Sequence, residues 1–140
     1  MTFLIDTSLW ISLLKDRSGA CERQLDEIIG QADTVISSAI QMEILRGARN
    51  ETEWQALEAV MTREVILPIS HEDWGNAARI YFDLRRKGLT VRSMMDCLIA
   101  QSALEQDLTL LHNDRDFEVI AQIRALKHQR VDYPDSQDNK

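Results

Sequence analysis

The chain has 140 residues, 44% of them hydrophobic and 28% charged, and a formal net charge of −7. That is the length of one domain with enough apolar content for a real core, too evenly mixed for a fibrous chain. No stretch is apolar for long enough to span a membrane, and an acidic balance taken alone argues against a nucleic-acid binder, which usually carries a basic footprint.

The run Phe3 to Ile5 is continuous rather than alternating, the pattern of a central parallel strand buried on both faces. Thr7 or Ser8 is placed to cap a short helix, SLWISLLKD, and a second helical stretch from Glu22 to Ile29 is closed by Gly30. Thr34 to Ile36 reads as a second strand. Ser37 or Ser38 then caps a helix that carries Glu43 and ends near Gly47. Asn50 to Thr62 is helical, and Glu64 to Ile69 is strand-like, with Pro68 limiting its far end. A long helix runs from Ser70 to Arg86 and stops at Gly88. The loop GLTVRS leads into a helix with Asp96 in its first turn. Leu108 to Leu111 is a strand, Asp114 or Asp116 opens a helix through Leu126, and Arg130 to Tyr133 reads as an edge strand. Residues 1–133 thus form one domain, and 134–140 a polar tail expected to be disordered. Alternating strands and helices imply an α/β fold, a parallel central sheet in a three-layer α/β/α sandwich.

Two cysteines, Cys21 and Cys97, form no CxxC pair and read as reduced, partly buried thiols. The N-terminus, MTFLIDTSLW, has no basic segment before its apolar run and no signal-cleavage site. The expectation is a cytoplasmic protein without a membrane partner.

Four acids stand out against this pattern. Asp6 ends the first apolar run and Asp114 follows TLLHN, so both lie at the carboxyl ends of strands, where open parallel sheets place their sites. Glu43 shares a helical face with Ile40, Ile44 and Gly47, and Asp96 with Ile99, Ala100 and Ala103, so both turn toward the sheet. Each acid has an ordinary reading: Asp6 and Asp114 as helix caps, Glu43 as a surface residue paired with Arg46 or Arg49, Asp96 as a first-turn acid facing the helix dipole. Together they are four like charges converging on one sheet edge, which repel unless a cation joins them. Oxygen ligands suit Mg²⁺, with Mn²⁺ as the alternative. No HExxH and no cysteine–histidine spacing suggests zinc. A carboxylate cluster that leaves waters on its metal suits phosphoryl-transfer chemistry. Asp116 reads either as an additional acid of this cluster or as a solvated first-turn residue. His112 reads as a structural strand-end histidine, and Trp10, Trp54 and Trp74 as core or half-buried residues.

At FLIDTSLWI, SSAIQMEILRGA, SMMDCLIAQSA and LTLLHNDRDFEVIA, in that order and over nearly the whole chain, the sequence resembles the PIN-domain family. Within that family it is similar to the VapC-type toxins of bacterial toxin–antitoxin modules. The resemblance implies a PIN-like α/β/α fold and a Mg²⁺-dependent endoribonuclease restrained by a cognate VapB-like antitoxin. It matches Asp6, Glu43, Asp96 and Asp114 to the catalytic acidic quartet, and Asp116 to a further acid beside the fourth. Thr7 matches a small hydroxyl residue supporting the first acid and the metal shell. His112 departs from the family, which more often has a small hydroxyl residue there. Arg92 and Arg115, near Asp96 and Asp114 in sequence, are the first choices for contacts to RNA; the run Arg85 to Lys87 also complements a helix dipole. The resemblance implies a homodimer, to which the Ser70–Arg86 and Asp96 helices are placed to contribute, and an antitoxin segment crossing the early helices near Trp10. A non-toxic PIN-like RNA-processing or RNA-binding domain is the alternative. A haloacid-type phosphatase would need DxDxT after the first strand, where this chain has DTSLW, and a receiver domain lacks a convincing acceptor aspartate and lysine.

Overall fold

The computed structural model describes residues 1–133; the tail expected at 134–140 lies outside the described residues. The described residues form β1 (Thr2–Ile5), α1 (Thr7–Lys15), α2 (Ala20–Ile29), β2 (Asp33–Ser37), α3 (Ser38–Leu45), α4 (Glu51–Met61), β3 (Ile66–Leu67), α5 (His71–Arg86), α6 (Met94–Glu105), β4 (Thr109–His112), α7 (Arg115–Ile120) and β5 (His128–Arg130). The strands make one sheet in the order β3-β2-β1-β4-β5, and every pairing is parallel. From β1 the chain steps outward through β2 to β3, then crosses to β4 and β5 on the other side. Right-handed crossovers running in opposite directions put helices on both faces, which gives the three-layer sandwich.

That reversal makes the gap between β1 and β4 a topological switch point, the place where α/β sheets open a crevice at their carboxyl edge. The two strands are in register from Phe3↔Thr109 to Ile5↔Leu111. The backbone amide of Asp6 then donates to the carbonyl of Leu111 at 2.9 Å, holding the two strand ends together just where the acids begin.

The sheet is anchored by a core in which Leu4, Ile36, Leu110 and Leu111 are wholly inaccessible, packed with Leu9, Ile40, Ile80, Ile99, Phe117 and Ile120 from the helices. α6 is buried on nearly all sides, with Asp96, Cys97, Leu98, Ile99, Ala100, Ser102 and Ala103 all buried. Its first-turn acid, Asp96, therefore sits among apolar neighbours. α5 and α6, joined by a short connection, form a helical hairpin.

Beyond shifts of one or two residues at α2, β2 and β4, three boundaries differ from the sequence reading. β3 is confined to Ile66–Leu67 rather than Glu64 to Ile69, because only Ile36 and Ser37 of β2 are there to pair with it. α7 ends at Ile120, not Leu126: the chain closes with turn bonds from Ile123 and Arg124 back to the carbonyl of Ile120. The last strand is His128–Arg130, earlier than the expected Arg130 to Tyr133, since its partners Leu110, Leu111 and His112 set its register. Trp10 is buried, but Trp54 at 38% and Trp74 at 59% are exposed, against expectation.

Candidate active site

Five acids meet at the switch point, four of them held by a hydrogen bond from a hydroxyl or a backbone amide and Asp96 carried in from the buried first turn of α6. Asp6 is the N-cap of α1, its Oδ2 accepting from the Ser8 amide at 3.1 Å and from Ser8 Oγ at 2.7 Å. Ser8 Oγ in turn accepts the amide of Asn113 at 3.0 Å, which ties the residues after β1 to those after β4. Asp114 is the N-cap of α7, its Oδ1 accepting from the Asp116 amide at 2.9 Å. Asp116 Oδ2 accepts the Arg92 amide at 2.8 Å, so the 88–93 loop is fastened to the site by its main chain. Glu43 Oε1 accepts from Thr7 Oγ1 at 2.7 Å. Arg49, its alternative partner, pairs with Glu53 instead.

The capping readings of Asp6 and Asp114 are thus correct but incomplete. In Asp6, Glu43, Asp114 and Asp116 one oxygen is fixed by a neighbouring hydroxyl or amide, while the second is not engaged in that bond. Asp6 Oδ1 is buried and has no hydrogen-bond partner among the described residues. A buried, unpartnered carboxylate oxygen is costly unless something else meets it. One oxygen from each of Asp96, Asp114 and Asp116 can be chosen so that all lie within 4.8 Å of one another. Oxygens from separate residues bound to one Mg²⁺ at roughly 2.0–2.1 Å are at most about 4.2 Å apart, so only a small closing movement separates this spacing from coordination. Donors and spacing therefore fit a hard divalent ion, with Asp6 close enough to Asp96 for their charges to interact.

The electrostatics follow from crowding. Burial raises the Asp6 carboxyl to about 6, with a smaller contribution from Glu43, against the lowering effect of Ser8 and Thr7. Burial also raises Asp96 far above the carboxylate range; a hydrogen bond with Asp116 and the charges of Asp114, Asp6 and Asp116 add to it. These are acids held in a state that favours a proton or a cation.

Of the two arginines expected nearby, Arg92 reaches Asp114 Oδ1 with Nη2 at 3.4 Å while remaining largely exposed. Arg115 is exposed at the start of α7 and forms no ion pair among the described residues. Thr7 or Ser8 was expected to cap α1, but the cap is Asp6, and Ser8 is instead the donor that holds its carboxylate, a role the sequence reading did not give it. His112 is wholly buried, with Nδ1 accepting the amide of Asp114 at 3.2 Å and Nε2 facing His128 Nδ1 at 3.0 Å.

A second concavity, about 490 Å³, lies on the other side of α1, lined by Trp10, Leu13, Leu14, Leu25 and Ile29 and rimmed by Asp16, Glu22, Asp26 and Glu64. Trp10 Nε1 is buried there without an acceptor among the described residues. No helix of the described residues is long and apolar enough to cross a membrane.

A family model described as PIN domain matches residues 3–123. The chain is 35% identical over 127 residues to Ribonuclease VapC11 of Mycobacterium tuberculosis, covering 89% of this chain and 95% of that one. It is 31% identical to Ribonuclease VapC51 of the same species over 124 residues, 88% of each chain. Among solved structures, VapBC2 from Rickettsia felis, bound to a DNA fragment from its promoter, superposes with a TM-score of 0.78 at 20% identity, over 94% of this chain and 100% of that one. VapBC-1 from nontypeable Haemophilus influenzae gives 0.74 at 23% identity, over 93% and 98%. At those identities the structural likeness speaks to the fold alone.

Proposed function

The chain belongs to the PIN-domain family, and from that premise we propose that it is a Mg²⁺-dependent endoribonuclease, the toxin of a toxin–antitoxin pair. The observation that carries the reading is the meeting of Asp6, Glu43, Asp96, Asp114 and Asp116 at one sheet edge, all but Asp96 held by a hydroxyl or an amide. Relatives named as ribonucleases, similar over almost the whole chain, support RNA as the substrate.

Asp6, Asp96, Asp114 and Asp116 would hold the ion. When bound, it acidifies a water and offsets the charge of the scissile phosphate. The protein's part is preorganisation. Ser8 fixes one oxygen of Asp6 and leaves Oδ1 to the ion. Thr7 holds Glu43 by one oxygen, so that the other can orient the attacking water. Arg92, long and exposed beside Asp114, is positioned to exchange that carboxylate for a phosphate oxygen. Asp116 belongs to the cluster in this reading: it is buried and bonded to the Arg92 amide, not a solvated first-turn acid.

The antitoxin would lay an apolar segment in the groove beside Trp10, Leu13 and Leu14, whose acidic rim suits basic residues. A second copy would complete a homodimer, with Trp74 on α5 as an exposed apolar contact. Cys21 and Cys97 are buried thiols, which accords with the reducing cytoplasm, where RNA is also met.

The test is direct. Asp6→Asn and Asp96→Asn should each abolish RNA cleavage and growth arrest while the far-UV spectrum and cooperative melt survive. Chelation should silence the wild type, and Mg²⁺ or Mn²⁺ should restore it. Full cleavage by both variants, or by the wild type in excess chelator, would exclude the reading.

A further inference from the structure

The acidic chain has one face that contradicts its net charge. On α5, Arg79, Phe82, Asp83 and Arg86 recur at helical spacing, and so lie on one stripe. The Arg79 guanidinium sits 4.8 Å from the centroid of the Phe82 ring, and that of Arg86 5.6 Å from it. Phe82 is 46% exposed. Beside the stripe is an open groove of about 370 Å³, lined by Asp83, Arg86, Lys87, Ile123 and Arg124.

Helix polarity accounts for cations in the last turn of α5. It does not account for Arg79, which lies earlier, or for Arg124, which comes from the turn after α7. A single carboxylate serves them: Asp83 pairs with Arg79 at 3.1 Å and Arg124 at 2.8 Å. Positive charge is therefore in excess, and an exposed aromatic ring with guanidinium planes over it is a surface on which bases stack.

Both walls of the groove lead to the acids. Lys87 is followed by the loop that ends at Arg92, whose amide bonds to Asp116; five residues of chain keep the two Cα atoms within about 17 Å. Arg124 closes the turn of the helix that Asp114 caps. The stripe faces away from the core residues Ala77, Ile80 and Leu84, and from Trp74 as well.

We propose that the stripe of Arg79, Phe82 and Arg86, together with the groove beside it that Lys87 and Arg124 line, is a docking site for single-stranded RNA, holding the strand that flanks the phosphate presented to the acid cluster. The assignment rests on the ribonuclease reading and adds a binding subsite to it. An acidic centre cannot attract RNA unaided. The groove supplies that attraction next to it.

The experiment uses the full chain and a short, labelled, unstructured RNA, with binding read by anisotropy in EDTA so that cleavage does not interfere. For single strands the logarithm of affinity falls with that of salt by roughly 0.7 per phosphate neutralised. The Arg79→Gln, Arg86→Gln, Lys87→Gln triple variant should therefore show a slope shallower by about 2, while Arg86→Lys retains it. Phe82→Ser should weaken binding by about fivefold or more through lost stacking, with the slope unchanged. Matching melting temperatures exclude misfolding, since all four side chains are exposed. An unchanged slope in the triple variant, with wild-type cleavage intact in Mg²⁺, overturns the groove and spares the nuclease. A wild type that cuts no RNA defeats the underlying reading instead. A triple variant that alters self-association but not the slope also overturns the proposal, assigning the face to contact between copies.

Discussion

His112 Nδ1 accepts the backbone amide of Asp114 at 3.2 Å, and this one bond fixes the state of two histidines. An accepting Nδ1 carries no proton, so in the neutral ring the proton is on Nε2, which donates to His128 Nδ1 at 3.0 Å. His128 must then carry its own proton on Nε2. Phe117, with its ring centroid 5.0 Å away, packs against the His112 ring. The turn that presents Asp114 and Asp116 is thus set by a side chain buried in β4 and braced from β5.

A change at His112 should act through the acids it positions. Asparagine places an acceptor near the position of Nδ1, glutamine reaches nearer Nε2, and phenylalanine keeps the ring without either. His112→Asn should retain Mn²⁺ affinity within a few fold. His112→Gln and His112→Phe should lose roughly 10–100-fold, the range for outer partners of metal ligands. Calorimetric titration of Mn²⁺ reads this without turnover. Equal affinities in all three variants would remove His112 from the site.

The same residue has a pH signature. Burial lowers the His112 imidazole to about 4, with His128 adding to it, while Glu118 and Asp114 oppose the shift. A depressed histidine binds fewer protons folded than unfolded, so its contribution is present above about 6.5 and is lost as pH falls toward 4. The loss amounts to roughly 3 kcal/mol across that window. Asp6, raised by burial, runs the other way and gains stability on acidification. The difference between wild type and His112→Phe isolates the histidine: urea unfolding should fall more steeply with acid in the wild type between pH 6.5 and 4. Parallel curves would contradict the buried neutral state.

What sequence shows and what it conceals divide along physical lines. Asp6 and Asp114 were legible because a strand that ends in an acid places it on the sheet edge. Glu43 and Asp96 were legible because helical spacing ties each to apolar neighbours. Asp116 stayed ambiguous, because its partner is a backbone amide at Arg92, and main-chain donors leave no mark in sequence. His128, sixteen positions from His112, was concealed for a related reason: the edge strand's register comes from β4, not from its own residues HQR. The stripe Arg79, Phe82, Arg86 was visible only in part, as basic residues at a helix end, since Arg124 joins it through tertiary packing.

Thr7 offers a test of how Glu43 is held. Its hydroxyl donates to Glu43 Oε1 at 2.7 Å from the first position of α1. Thr7→Val keeps the shape and removes the donor, and a hydrogen bond to a charged group contributes about 1.5–3 kcal/mol. The maximal cleavage rate should fall by roughly 10-fold or more, corresponding to the lower end of that range, with a cooperative melt retained. Thr7→Ser should recover most of it. A valine variant as fast as wild type would show that Glu43 needs no such anchor.

Asp96 should separate activity from stability. It is buried in α6, faces the charges of Asp114, Asp6 and Asp116, and is held far above the ordinary carboxylate range, burial first among the causes. A carboxyl whose folded pKa is raised contributes most below its unfolded value, and that contribution is lost as pH rises through the folded one. Without a cation, neutral pH therefore keeps the cluster strained. Asp96→Asn removes the ionisable group and keeps its shape. In chelator the variant should melt several degrees above the wild type, since about 1 kcal/mol moves a domain of this size by roughly 4 °C. Added Mg²⁺ should raise the wild type and leave the variant almost unmoved, so the gap narrows or reverses as cleavage appears in the wild type alone. Differential scanning calorimetry with and without Mg²⁺ reads both effects. A variant less stable than wild type in chelator would mean that Asp96 supports the fold rather than burdening it in the service of the site.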